Sequence, residues 1–246
     1  MAHPSLSVVV PVYNERDNVA PLIAEIVAAL RGRPAGQGGD FEIVYVDDCS
    51  TDDTLAKLQA LKAEVPELRV IRHLKQGRQS TAIRNGVKAA RGEWIATLDG
   101  DGQNDPADIP KLLDERAKAA PDVKLFAGWR VNRMDSGSKR WASKWANAIR
   151  SRMLRDATPD TGCGIKLFER EAFLDLPHFD HMHRYLPALM QRAGWKTVSV
   201  PVNHRHRSAG VSKYNNLNRA LVGISDLRGV AWLIKRGKVA PTEELP

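Results

Sequence analysis

Short β-rich runs alternate with helix-patterned stretches through the first half of the chain, and that alternation leaves few folds open. Leu6 to Val10 predicts a first strand, and beyond Val19 the apolar residues Leu22, Ile23, Ile26, Val27 and Leu30 recur at helical spacing. A glycine-rich turn, Gly36 to Gly39, closes that unit, and Phe41 to Val46 (FEIVYV) predicts a second strand. Thr51 or Asp52 can cap a helix carrying Leu55, Leu58 and Leu61. Leu68 to Ile71 reads as a third strand, Thr81 to Ala90 as a helix, Trp94 to Leu98 as a buried strand and Pro106 to Ala119 as another helix. Strands that alternate with helices form a mostly parallel α/β sheet covered on both faces. Ligands of such sheets bind beyond the carboxyl ends of the strands, here the loops after Val10, Val46 and Leu98.

The second half is less regular. Val123 to Gly128, Ile165 to Phe168 and Thr197 to Val202 predict strands, and Asn132 to Asp156 a basic, mostly helical stretch. Leu217 to Lys235 reads as a surface helix with Leu221, Ile224, Leu227, Ala231 and Ile234 on one face, and a loose tail begins at Gly237. At 246 residues the expectation is one domain over 1–236 and a tail over 237–246.

Charge and cysteine usage narrow the setting. Cys49 and Cys163 offer no disulfide framework, which suits a reducing cytoplasm. The apolar run Leu6 to Val12 has no basic segment before it and is too short for a signal peptide. No stretch approaches the roughly 20 apolar residues that cross a bilayer. A net charge of +8 implies attraction to polyanions, whether phosphorylated ligands, anionic lipid or nucleic acid. Nucleic acid is not expected as a partner: no zinc-finger or RNA-recognition signature occurs, and acids at the strand ends would repel phosphate without a metal.

The strand-end loops carry the chemistry. After the fourth strand the chain reads Leu98-Asp99-Gly100-Asp101-Gly102-Gln103-Asn104-Asp105-Pro106. Carboxylates alternating with glycines, followed by an amide, suit a hard divalent cation that shares its ligands with phosphate oxygens and water. The plainer alternative is a polar turn capping the helix at Pro106. It is no EF-hand, because the later glutamate is missing. After the second strand, Asp47 and Asp48 can accept from a ribose or a base, whereas Thr51 and Asp52 read as helix caps. The first loop, Pro11-Val12-Tyr13-Asn14-Glu15, leads from strand to helix with neither a dinucleotide fingerprint nor a Walker loop.

Together PVYNE at 11–15, VDDCSTDDT at 46–54 and LDGDGQ at 98–103 resemble the inverting GT-A glycosyltransferases of family 2. Within that family the chain is most similar to the dolichyl- or polyprenyl-phosphate mannosyltransferase branch. The likeness continues into Gly128-Trp129-Arg130, Asp160-Thr161-Gly162-Cys163-Gly164 and Arg207-Ser208-Ala209-Gly210-Val211-Ser212-Lys213-Tyr214. It implies a Rossmann-like, mostly parallel central sheet with helices on both faces, a nucleotide-sugar-binding half over 1–125 and an acceptor-binding half over 126–236. Pro11, Tyr13, Glu15, Asp47 and Asp48 would then cradle the donor nucleotide. Asp99, Asp101 and Gln103 would hold Mg²⁺ or Mn²⁺ and the donor diphosphate, joined by Arg207 and Lys213. Arg130, Arg133, Arg140 and Ser212 would bind the acceptor phosphate, with Asp101 and Arg130 as catalytic residues. The implied donor is GDP-mannose or a UDP-sugar, and the implied acceptor a polyprenyl or dolichyl phosphate.

Two departures qualify the likeness. Processive members carry Gln-x-x-Arg-Trp, which Gln191-Arg192-Ala193-Gly194-Trp195 does not match, so polymer synthesis is not expected. The membrane-spanning helices of many polyprenyl-phosphate enzymes are also missing. That leaves surface helices or a partner subunit to attach the protein to the cytoplasmic face of the membrane. The basic stretch from Arg130 to Arg155, with Trp141, Trp145 and Met153 interleaved, suits a lipid headgroup boundary.

A lipid phosphate is already an anion and needs no base, whereas a hydroxyl acceptor would need a carboxylate such as Asp160. His178, His181, His183, His204 and His206 match no zinc spacing, and Cys163 reads as a small packing residue.

Overall fold

In the computed structural model, residues 4–131, 150–156, 158–205 and 216–240 are described, those from 216–222 by backbone alone. The first four strands, β1 (Leu6–Val12), β2 (Phe41–Asp47), β3 (Leu68–Arg72) and β4 (Trp94–Thr97), alternate with α1 (Val19–Leu30), α2 (Thr54–Glu64) and α3 (Arg78–Ala89). A 3₁₀ turn at Pro106–Asp108 leads into α4 (Ile109–Lys118), followed by β5 (Val123–Arg130). Beyond it come β6 (Lys166–Glu169), α5 (Arg170–Leu174), a second 3₁₀ turn at Met182–Arg184, α6 (Leu186–Arg192), β7 (Lys196–Val202) and α7 (Asn216–Arg236).

These strands form one sheet in the order β3-β2-β1-β4-β6-β5-β7. The first four run parallel, with Val8 facing Ile43 on one side and Ala96 on the other. β6 is antiparallel to both its neighbours, pairing Ile95 with Phe168 and Phe126 with Leu167. β7 returns to pair in parallel with β5.

The strand period of two sorts the core onto two faces. Leu6, Val8, Val10 and Val12 of β1, with Ile43 and Tyr45 of β2, pack on one face against Leu22, Ile23, Ile26 and Leu30 of α1. Val9, Val44 and Val46 point to the other face and meet Ala82, Ile83 and Val87 of α3. Each large side chain so buried stabilises the fold by roughly 1.5–3 kcal/mol. α3 lies close enough that a Cβ on Gly86 would come within 2.5 Å of Val9 Cγ1, so a glycine at that crossing lets helix and sheet touch.

The structure departs from the sequence expectation at several elements. The helix expected from Pro106 starts as a 3₁₀ turn, because the Asp105 carboxylate accepts from Ala107 N at 3.0 Å and holds the first turn tight. α5, the Met182–Arg184 turn and α6 carried no clear helical period. They are fixed by burial of Phe173, Met182, Leu186, Leu189 and Met190 in the second core. Of the basic residues of that stretch beyond Arg130, Arg150, Arg152 and Arg155 lie among the described residues, and 150–154 is helical. Arg150 is not part of a solvated basic face: it is buried, pairs with Asp156 and donates to Thr158 O.

Of the face expected on α7, Leu227, Ala231 and Ile234 pack on the core, with Val230 fully buried, but Ile224 is exposed and Trp232 points outward. Trp195, in the segment that departs from the processive motif, lies under Lys124 Nζ at 5.5 Å and serves as packing. No helix among the described residues is long and apolar enough to cross a membrane.

Candidate active site

Strand order locates the site. From β1 the chain moves outward to β2 and β3, then returns to place β4 on the opposite side of β1. The crevice at the carboxyl ends of β1 and β4 is therefore a topological switch point, where open α/β sheets bind ligands. All three acidic or polar loops singled out in the sequence meet there.

The first two loops are tied into one wall. Asp48 N donates to Val12 O at 2.8 Å, Asn14 N to Ser50 Oγ at 2.9 Å and Glu15 N to Thr54 Oγ1 at 2.9 Å. Asn14, held in the left-handed region at φ 54, also accepts from Thr51 N at 2.8 Å. Thr51 is thus a loop clasp and not a helix cap. Asp52 does act at the helix start, accepting from Thr54 N at 3.0 Å. Glu15 accepts from Asn18 Nδ2 at 2.7 Å, which fixes its carboxylate beside the start of α1.

Asp47 and Asp48, adjacent in sequence, differ in their surroundings. Asp48 is buried, and its Oδ1 accepts from Gly77 N and meets His73 Nδ1, each at 2.7 Å, while Oδ2 accepts from Arg78 N at 2.8 Å. Gly77 and Arg78 are the orphan donors at the start of α3, so Asp48 caps that helix from across the sheet. Asn85 Nδ2 lies 3.0 Å from His73 Nε2; the amide nitrogen donates, so Nε2 accepts and the ring proton sits on Nδ1, facing Asp48. The sequence suggested a nucleotide ligand at Asp48; its carboxylate also meets three of the chain's own donors. Asp47 accepts from Ser50 N at 3.3 Å, and its buried Oδ1 has no partner among the described residues.

The acidic loop after β4 is built differently. Its backbone is pinned by side chains and by a distant segment. Asp99 N donates to Asn104 Oδ1 at 2.9 Å and Gln103 N to Asp101 Oδ1 at 3.1 Å. The segment after β7 then docks on it. Asn104 bridges to His204, Arg205 N donates to Gln103 O at 3.1 Å, and the Arg205 guanidinium joins Glu25 at 2.6 Å to Asp105 at 2.5 Å.

The carboxylates of this loop are left in tension. Asp99 accepts from Gln79 Nε2 at 2.8 Å on the first turn of α3. Burial, and then the charge of Asp101, push the Asp99 carboxyl up to about 6, against the pull of Lys166, Arg130 and Gln79. Gly164 faces it; a Cβ there would overlap Asp99 Oδ2 and come within 2.5 Å of Asn104 Oδ1.

Two opposed carboxylates with an amide two residues on make a hard oxygen donor set. A divalent cation fits this set, because it relieves the repulsion that raises Asp99. Among the described residues no group of three or more His, Cys, Asp or Glu side chains converges.

Across the crevice, Arg130 at the end of β5 forms a double ion pair with Asp160: Nε to Oδ2 at 2.6 Å and Nη2 to Oδ1 at 2.9 Å. Gly162 N adds a third donor to Asp160 at 3.1 Å. Beside Asp99 opens a cavity of about 180 Å³, lined among others by Gln79, Asp99, Gly162, Lys166, His183 and Arg184. His183 Nδ1 lies 2.7 Å from Ser80 Oγ; burial, with Arg184 and Lys166 beside it, holds the imidazole well below its usual range and hence neutral.

Asp101 and Arg130 lie near enough to Asp99 to act on its charge, and Gln103 N is tied to Asp101, while Pro11, Tyr13, Glu15 and Asp47 belong to the first two loops. Arg133, Arg140, Arg207, Ser212 and Lys213 lie outside the described residues, as do Trp141, Trp145 and His206. His181 meets Asp226 of α7 at 3.0 Å, a contact between elements. Cys163 is fully buried in the core, as a packing residue should be. Gln79, Lys166 and Arg205 were missed. For Lys166 a signal existed, a lone charge inside the apolar strand Ile165 to Phe168. For Gln79 and Arg205 there was none, since both act on partners far away in the chain.

Comparison with known proteins agrees with this fold. The family model described as glycosyl transferase family 2 matches residues 7–176. A dodecaprenyl-phosphate galacturonate synthase from Rhizobium johnstonii is 35% identical over 240 residues, which cover 94% of this chain and 67% of the relative. An undecaprenyl-phosphate 4-deoxy-4-formamido-L-arabinose transferase from Sodalis glossinidius is 34% identical, covering 85% of this chain and 63% of the relative. The chain therefore spans somewhat under two thirds of that relative's length. Among solved structures, a mannosyltransferase from Pyrobaculum calidifontis in complex with GDP-Man and Mn²⁺ superposes with a TM-score of 0.64 at 21% identity, covering 98% of this chain and 67% of that one. The sheet and its flanking helices are those of the GT-A fold.

Proposed function

The chain belongs to glycosyl transferase family 2, and we propose that it moves one sugar from a nucleoside diphosphate onto a polyprenyl phosphate at the membrane surface. The observation that carries this reading is the opposed Asp99 and Asp101 at the switch point, facing the Arg130–Asp160 pair across the crevice. The first is built for a diphosphate with its cation, the second for an anion that attacks.

In this reading Pro11, Tyr13, Glu15 and Asp47 line the nucleotide site, and Asp48 keeps its wall in place by capping α3. Asp99, Asp101 and Gln103 hold Mg²⁺ or Mn²⁺, with Arg207 and Lys213 also assigned to the donor. The cation, when bound, supplies charge to stabilise the departing nucleoside diphosphate. Arg130 presents a guanidinium to the acceptor phosphate. Two of its five donors are engaged by Asp160, which aims the rest. Arg133, Arg140 and Ser212 are assigned to the same phosphate.

A phosphate monoester attacks C1 without giving up a proton, and the resemblance to inverting enzymes makes the reaction a single displacement in which the phosphate oxygen bonds to C1 as the nucleoside diphosphate leaves. Asp160 supports this choice over a hydroxyl acceptor: both its oxygens are engaged by Arg130 and Gly162, a poor arrangement for a general base.

The donor sugar departs from the sequence expectation. Mannose from GDP-mannose followed from the resemblance, but the relatives' names carry galacturonate and an aminoarabinose derivative. A UDP-sugar of that kind is therefore the donor favoured here. The place of action is the cytoplasmic face of the membrane, reached through surface helices or a partner subunit.

Thermal shift with UDP and GDP, each with and without Mn²⁺, tests the donor site. Transfer from the preferred nucleotide sugar to undecaprenyl phosphate, compared with an oligosaccharide acceptor, tests the acceptor. Metal-dependent binding of one nucleotide and transfer to the lipid are expected. A folded protein that binds neither nucleotide at millimolar Mn²⁺ would sink the reading.

A further inference from the structure

The acidic loop is fastened at its two ends by different means. At the β4 end the sheet itself holds it, with Leu98 N donating to Val9 O at 3.3 Å. Past Gly102, which turns at φ 74, it is held by three residues that follow β7. Asn203 N donates to Asp108 Oδ2 at 2.7 Å, His204 bridges to Asn104, and Arg205 N donates to Gln103 O at 3.1 Å. Arg205 then closes the joint with its side chain: Nη2 meets Asp105 Oδ1 at 2.5 Å, and Nη1 meets Glu25 Oε2 of α1 at 2.6 Å. Three separate parts of the chain thus converge at one residue.

The joint depends on the shape of the side chain as well as its charge. A planar guanidinium serves two carboxylates at once through charge-assisted bonds, where a lysine offers a single point of charge. The Asp105 end is the sheltered one, that side chain being 12% exposed against 43% for Glu25, so water screens it less. Asp105 Oδ1 also accepts from Ala107 N, so the residue that Arg205 grips is the one that closes the loop. Gln103, whose carbonyl Arg205 N holds, donates its own N–H to Asp101 Oδ1. Two positions after Arg205 comes Arg207, where the segment assigned to the donor diphosphate begins.

We infer that Arg205 is a positioning residue for the divalent cation: it locks the Gln103–Asp105 stretch to α1 and so fixes Asp101 and Gln103 where the ion takes them. The inference rests on the transferase reading of the same loop. Among the described residues the guanidinium meets Glu25 and Asp105 and no side chain of the cation set, so it acts through the loop. Mg²⁺ tolerates little departure from octahedral geometry. A loop that must become ordered as the ion binds weakens binding by the entropy of that ordering, whereas a loop already locked does not.

Calorimetric titration of Mn²⁺ into protein held with saturating UDP or GDP, whichever wild type binds more tightly, tests this. Arg205→Met should raise the Mn²⁺ concentration for half-saturation about tenfold and change metal-free nucleotide affinity less than about twofold. Arg205→Lys keeps the charge without the fork and should still bind Mn²⁺ about fivefold more weakly than wild type. Glu25→Gln, at a half-exposed position, should weaken Mn²⁺ about threefold by itself and cause no further loss in the Arg205→Met background. Should Arg205→Met fail to fold, Glu25→Gln decides alone. Unchanged Mn²⁺ affinity in Glu25→Gln or in folded Arg205→Met, full recovery by Arg205→Lys, or an equal loss of metal-free nucleotide binding overturns the inference and leaves the transferase reading intact. Wild type that binds neither nucleotide with Mn²⁺ overturns both.

Discussion

The two acidic loops, Val46-Asp47-Asp48 and Leu98-Asp99-Gly100-Asp101, look alike in sequence: each follows a parallel strand and each carries paired carboxylates. In the fold they do opposite things. Asp48 is engaged at both oxygens by the chain's own donors, with a ring nitrogen and two backbone amides at 2.7–2.8 Å. Asp99 is held by one amide side chain and pushed up by burial and by Asp101. An acid whose partners are all internal maintains structure. An acid left beside another acid in a crevice awaits a positive ligand.

The largest test of that contrast is Asp101→Ala. It removes a carboxylate whose one described hydrogen bond is to Gln103 N of its own loop, so transfer should fall by about 10²–10³-fold while the melting temperature hardly moves. Retained activity would remove the loop from the site.

Asp48→Ala should do the reverse. Leaving His73, Gly77 N and Arg78 N without their acceptor should cost about 2–4 kcal/mol, read from urea unfolding. A variant of normal stability that merely loses nucleotide affinity would erase the distinction between the loops.

The third test uses pH. The Asp99 carboxyl sits at about 6 in the folded chain, above the roughly 3.9 of an unfolded aspartate, so folding favours its protonated form. Its contribution to stability is thus fully present below pH ~4 and lost as pH rises through about 6. Asparagine cannot ionise. Without metal, Asp99→Asn should therefore be about 1–3 kcal/mol more stable than wild type at pH 8 and equal to it near pH 4. A variant that is no more stable at pH 8 would show that Asp99 is not strained.

The smallest effect is expected from Gln79→Ala. Losing the 2.8 Å bond to Asp99 should raise the Mn²⁺ concentration for half-saturation about threefold, measured by metal binding with the nucleotide present. No change would mean that Asp99 is positioned by its own loop alone.

How much of this was legible beforehand follows from the range of each interaction. The strands and helices of the first half were readable because their signals are local. The apolar run from Leu6 to Val10, buried on both faces, and the helical spacing of Leu22, Ile23, Ile26 and Leu30 report their burial directly. α5 and α6 were not, because they are short and owe their shape to neighbours such as Phe168 and Val230. Likewise LDGDGQ announced an acidic turn, but Asp105 as its cap, Arg205 as its clasp and Gly164 as its floor come from sequence positions up to a hundred residues apart.

The residues alone determined that an alternating α/β chain would bring acid-rich loops to the carboxyl edge of a parallel sheet, since periodicity and strand-end chemistry are written locally. Only the tertiary structure decided which acids are occupied and which are strained, and that a buried lysine faces the same crevice. Burial, the distance between charges and the supply of hydrogen-bond donors are properties of neighbours in space, and no stretch of chain carries them by itself.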